Sequence, residues 1–72
     1  MNGEEHLQWC KDRAIKYVNR GELPQAYASM ASDMRKHEDT KDHIAIQLGV
    51  QLLVAGQLNT ASAMEDFING FN

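Results

Sequence analysis

The sequence predicts an all-α fold: four short helices paired into two stacked helical hairpins, a mini-bundle loosely like a tetratricopeptide array. Three observations carry this expectation. Apolar residues recur at steps of three and four, which lays side chains along one face of an α-helix, and no segment shows the strict alternation of a half-buried strand. Glycine-centred junctions at Gly21 and Gly56 divide the apolar stripes. With 72 residues, 43% hydrophobic and 24% charged, the chain has the balance of an ordinary soluble protein and length for a single helical domain over residues 1–72.

Helix one is expected from about Glu4 to Arg20, where Leu7, Cys10, Ala14, Tyr17 and Val18 draw one stripe. Glu4 and Glu5 suit the positive N-terminal end of the helix dipole, and Gly21 supplies the residue that most readily takes the left-handed conformation ending a helix. Helix two, about Pro24 to Lys36, opens on a proline whose missing N–H costs nothing in the first turn. Its stripe is Leu23, Ala26, Tyr27, Met30, Ala31 and Met34. The run from His37 to His43 has no apolar residue and reads as a solvated loop, with Thr40 or Asp42 as candidate N-caps for helix three.

Helix three, about Lys41 to Ala55, is apolar on most of its circumference. Ile44, Ala45, Leu48, Leu52 and Ala55 lie on one side, Ile46, Val50, Leu53 and Val54 on others, and only Gln47 and Gln51 mark a polar edge. Such a helix is expected to be central to the domain or part of a subunit interface, with Leu48 and Leu52 in the core. Gly56 ends it. Asn59 or Thr60 then caps helix four, whose stripe is Ala61, Met64, Phe67, Ile68 and Phe71, with fraying expected at Gly70.

The two junctions match under a shift of 35 residues: Gly21, Leu23 and Ala26 fall on Gly56, Leu58 and Ala61, and Tyr17 and Val18 fall on Leu52 and Leu53. The period is close to the ~34 residues of a tetratricopeptide repeat. Two antiparallel helix pairs of ordinary length give it by themselves, however, and a stable stack needs about three repeats, so the four-helix mini-bundle is the preferred reading.

Through Leu7-Gln8-Trp9-Cys10-Lys11-Asp12-Arg13-Ala14, Ala28-Ser29-Met30-Ala31-Ser32-Asp33-Met34-Arg35-Lys36-His37 and Phe67-Ile68-Asn69-Gly70-Phe71-Asn72, the chain resembles a family of small uncharacterised proteins of tailed bacteriophages and prophages. The resemblance spans nearly the whole chain. It implies an accessory viral protein in the bacterial host cytoplasm, of the kind that binds host proteins or opposes defence systems. No activity is assigned to that family, so no functional residue carries over.

Composition narrows the function classes. The single cysteine, Cys10, excludes an internal disulfide. The longest apolar stretch is far shorter than the ~20 residues of a membrane span, and no charged-then-apolar leader opens the chain, so a soluble intracellular protein is expected. A net charge of −3 argues against broad electrostatic capture of nucleic acid. No phosphate loop, H-E-x-x-H motif or nucleophile elbow is present, and the acidic loop residues lack an EF-hand pattern, so neither catalysis nor a cofactor is expected.

Two constellations remain. His6, Cys10, His37 and His43, with Lys36 nearby, form a candidate ligand cluster at one end of the first hairpin. His6 and Cys10 share a helix face, and an antiparallel helix two brings His37 back beside them. Cysteine with three histidines suits zinc, yet the spacing matches no strong zinc motif, and the expectation is a buried Cys10 without bound metal. Trp9, Arg13 and Lys16 form a ridge off the apolar stripe, and tryptophan and arginine are the types most enriched at binding hot spots; the equal alternative is that Trp9 packs over the adjoining hairpin with Arg13 stacked on its face. With Phe67 and Phe71 they are the candidate partner-binding residues. The expected function is non-catalytic binding of a host or viral protein through a helical face, with inhibition or counter-defence as its use. The alternative is a small metal- or anion-binding protein. Excess apolar surface on helix three, with Trp9, Phe67 and Phe71, predicts a homodimer.

Overall fold

Helix α1 (Gly3–Asn19) starts where the Asn2 side chain accepts a hydrogen bond from the Glu5 N–H at 2.8 Å, satisfying one of the four amides that every helix start leaves unpaired. The computed structural model describes residues 2–71. At the other end Gly21 has φ of 76°, the Gly21 N–H bonds the Val18 carbonyl at 2.9 Å, and the Glu22 N–H bonds the Tyr17 carbonyl at 3.0 Å. This paired closure needs a left-handed residue, which glycine adopts without steric cost. Helix α2 (Leu23–Met34) follows with Pro24 in its first turn.

Helices α3 (Ile44–Val54) and α4 (Ala61–Gly70) repeat the arrangement. Gly56 has φ of 76°. Its N–H bonds the Leu53 carbonyl at 3.1 Å, and the Gln57 N–H bonds the Leu52 carbonyl at 2.9 Å. The 35-residue shift therefore holds for both bonds of the glycine closure, with Tyr17 and Val18 replaced by Leu52 and Leu53. Leu23 and Pro24 from one junction and Leu53, Leu58 and Asn59 from the other line a shared groove of about 300 Å³, so both turns sit at the same end. Leu58 is buried there, whereas Leu23 is half-buried. Thr60 caps α4 by accepting from the Ala63 N–H at 3.1 Å, and α4 stays helical through Gly70 rather than fraying before it.

The central helix is α1, not α3. It packs against both α2 and α4, and the core joins Cys10, Ala14 and Val18 of α1 to Ala26, Tyr27, Met30, Ala31 and Met34 of α2 and Met64 and Ile68 of α4. Helix α3 contributes little: Ala45, Ile46 and Gly49 are its buried residues, and Leu52 and Leu53 are half-buried. Leu48, expected in the core, is 45% exposed. The reason lies across the helix, where Tyr27 packs its ring over Gly49 and donates its hydroxyl to the Ile46 carbonyl. An aromatic ring seats most closely on a residue without a side chain, which turns the opposite face of α3 outward. Among the described residues no strand occurs, and no helix is long and apolar enough to cross a membrane.

The polar loop is also less solvated than its composition implies. Thr40 is buried, and its hydroxyl donates to the Met34 carbonyl at 2.6 Å, capping the end of α2 instead of the start of α3. The N-cap of α3 is His43, whose Nδ1 accepts from the Ala45 N–H at 3.0 Å. Once Thr40 serves the last carbonyls of α2 it faces away from α3, and α3 starts three residues later than its apolar pattern suggests.

Candidate functional site

The spacing along α1 separates two faces at its first half. His6 and Cys10 point toward α2, while Trp9, Arg13 and Lys16 stand one step around the helix toward solvent. Helix α2 returns antiparallel, so Asp33, Lys36 and His37 reach the same end. The His6 Nε2 lies 2.8 Å from the Asp33 backbone carbonyl and 3.5 Å from the Cys10 sulfur. A carbonyl only accepts, so Nε2 carries the proton, and Nδ1 is the ring nitrogen left with a lone pair. The rings of His6 and His37 stack at 4.8 Å, and Trp9 stacks on His6 at 5.6 Å.

Of the expected ligand cluster, His6, Cys10 and His37 therefore come together as a ring stack and a buried thiol. Lys36 turns to Asp33, with its Nζ 3.5 Å from the carboxylate. His43 is held elsewhere, packing its ring against Phe71 at 5.1 Å. Among the described residues no group of three or more His, Cys, Asp or Glu side chains is placed to hold a metal ion.

Burial, with a smaller contribution from the negative charge of Asp33, pushes the Cys10 thiol up to about 11 from its ordinary 9.0. Such a thiol is a poor nucleophile near neutral pH. It also couples to stability. The unfolded chain loses this proton near pH 9 while the folded chain keeps it to about pH 11, so the thiol's contribution is whole below pH 9 and declines as pH rises through that window. Urea midpoints of the wild type are expected to fall more steeply than those of Cys10→Ala over this range. Parallel pH profiles would show that the thiol is not buried as described.

The ridge on the outer side of α1 is longer than its sequence suggested. Arg13 lies over the Trp9 ring at 4.7 Å and Arg20 over the Tyr17 ring at 4.8 Å. With Lys16 these side chains line a shallow groove of about 340 Å³. Arg13 and Tyr17 also border a second groove, of about 350 Å³, which continues onto α2 past Ser29 and Asp33. Asp33 anchors the arrangement. It is buried, and its carboxylate lies 3.1 Å from the Arg13 Nε, so the guanidinium is held between a carboxylate and an indole face. The Ser29 hydroxyl has no hydrogen-bond partner. Trp9 keeps 37% of its surface exposed.

Phe67 and Phe71 stand apart from this ridge. Both are half-buried against the core, with their rings 5.5 Å apart. Lys11 donates its ammonium to the Phe71 carbonyl and lies over the Phe71 ring at 4.5 Å, so α4 is clasped to α1 at its end. Burial lowers the pKa of this lysine. Tyr17, expected on the apolar stripe, packs partly against the core and also lines the groove, whereas Lys11, Asp33 and Arg20 are not among the residues expected from the sequence to carry function. A signal was present for two of them, because Lys11 lies four residues after Leu7 and Asp33 three after Met30, both on inward stripes. Compared with known protein families, curated proteins and solved structures, the chain matches none.

Proposed function

We propose that this protein is a non-catalytic binding module that engages a protein partner through the Trp9–Arg13–Lys16 ridge of α1, extended by Tyr17 and Arg20. The observation that carries the reading is the state of Trp9 and Arg13. Trp9 is exposed yet fixed by stacking on His6, and Arg13 is fixed by Trp9 and Asp33. Large side chains already ordered in the free protein lose little conformational freedom on binding, which is what makes Trp, Tyr and Arg effective anchors. Three cations in one groove of a chain with net charge −3 favour a partner surface that carries carboxylates. In the phage setting implied by the sequence resemblance, that partner is a host or viral protein, and occupying its surface serves inhibition or counter-defence.

The test is affinity capture from bacterial cells with the wild type and with Trp9→Ala, followed by titration of the recovered partner. Truncating Trp9 is expected to weaken binding by about 30-fold or more, as for a hot-spot anchor. Lys41→Ala, on the remote loop where Lys41 pairs with Glu38, is expected to leave affinity unchanged. Equal affinity of wild type and Trp9→Ala would remove the ridge from the binding surface.

A further inference from the structure

The outward face of α3 shares no residue with the ridge and is unlike any other surface of the molecule. Ile44 is 74% exposed, Leu48 45%, Val50 47% and Val54 84%. From Ile44 through Met64 the sequence contains no Asp, Glu, Lys or Arg. On a helical projection Gln47 and Gln51 lie along the middle of this face, with Ile44 and Leu48 on one flank and Val50 and Val54 on the other. We infer that this face pairs with the same face of a second copy, the two α3 helices running antiparallel about a two-fold axis level with Gly49.

Charge and self-complementarity together select a second copy as the occupant. Two chains of net charge −3 repel when charged faces meet, and the α3 face itself carries no charged side chain, the bordering ones being Arg35, Lys41 and Asp42, which share a groove with Gln47 near its start. A two-fold interface requires each surface to complement itself. In the antiparallel arrangement Gln47 lies opposite the partner's Gln51, and an amide both donates and accepts, so these pairs satisfy each other. Leu48 meets the partner's Leu48 and Val50 the partner's Val50 on the two flanks, so like packs on like. An 11-residue helix is about 16 Å long. Pairing one side of it buries on the order of 1,000 Å² in total, at the lower edge of stable interfaces. The dimer is therefore expected to form in the micromolar range and to dissociate on dilution.

Sedimentation of the full chain across roughly three decades of concentration tests this directly, the mass rising from one chain to two. Leu48→Lys and Leu48→Glu are the decisive variants. Leu48 is half-exposed in the single chain, so both are expected to fold, which circular dichroism and a cooperative melt verify. Each alone places like charges across the axis and should weaken self-association by more than about 100-fold. Mixed together, Lys and Glu meet across the axis and the two-chain species should return. A wild type that stays monomeric throughout overturns the proposal and gives the face to a different occupant. A wild type that dimerises while the folded Lys and Glu variants dimerise equally well, or fail to recombine when mixed, overturns the α3 pairing.

Discussion

Replacing Met30 with alanine is expected to remove about 2–5 kcal/mol from the stability of the fold, the range for truncating a fully enclosed methionine. Met30 is completely buried and lies on the α2 stripe that faces α1, within the cluster that also holds Cys10, Ala14 and Met34. Several of these neighbours are small: Ala14, Ala26 and Ala31 all line the same cluster. Short side chains cannot swing into the space that a missing thioether leaves, so the cavity persists and the upper part of the range is the more apt. At roughly 0.05–0.15 kcal/mol per residue a chain of this length holds only about 4–11 kcal/mol, so the loss is comparable to the whole. Urea denaturation followed by circular dichroism should show a midpoint shifted strongly downward, or no cooperative transition. Met30→Leu, which nearly conserves volume, should cost less than about 1.5 kcal/mol. A Met30→Ala midpoint within error of the wild type would mean that the α1–α2 core is not packed as described.

The second large effect is expected at Gly49. A Cβ built there would lie 2.9 Å from the Tyr27 Cδ1 and 3.2 Å from the Phe67 Cζ. The Tyr27 ring cannot swing aside freely, because its hydroxyl bonds the Ile46 carbonyl in the same helix. Gly49→Val should therefore destabilise by about 3 kcal/mol, combining overpacking with the poor helix propensity of a β-branched residue. Gly49→Ala is the more discriminating variant. In an exposed helix this change stabilises by roughly 1 kcal/mol, so a net loss of stability would report the steric contact with Tyr27. A gain would show that α3 does not present Gly49 to that ring.

The helices, the glycine-closed ends of α1 and α3 and the correspondence of the two junctions are written locally, whereas the start of α3 is not. The glycine closures involve residues within five positions of each other, and the Thr60 cap and the stripes of α1, α2 and α4 follow from spacing alone. Hence the 35-residue correspondence between junctions was legible before any packing was known. The meeting of His6 with Cys10 was equally legible, since residues four apart on a helix must share a face. The approach of His37 followed once α2 was placed antiparallel.

The orientation of α3 and the extent of the binding ridge belong to the tertiary structure. An almost wholly apolar helix has no preferred inward side, and hydrophobic spacing placed Ile44 and Leu48 inside with Leu52, although only Leu52 of the three packs against the core. The choice was made by Tyr27, which found in Gly49 the one position on α3 where a ring can lie against backbone, and that left Ile44, Leu48, Val50 and Val54 outside. His43 went to Phe71 rather than to His6 for a similar reason, because the end of α4 returns beside the start of α3. Asp33 shows the same division at the level of charge. Its position on an inward stripe is in the sequence, but its part in holding Arg13 against Trp9 required α1 and α2 to pack together, since that ion pair spans residues twenty apart in the chain. Contacts that close within a turn or two are decided by neighbouring residues. Contacts between helices are decided by which surfaces fit, and here a single glycine settled which face of the most apolar helix was left for others.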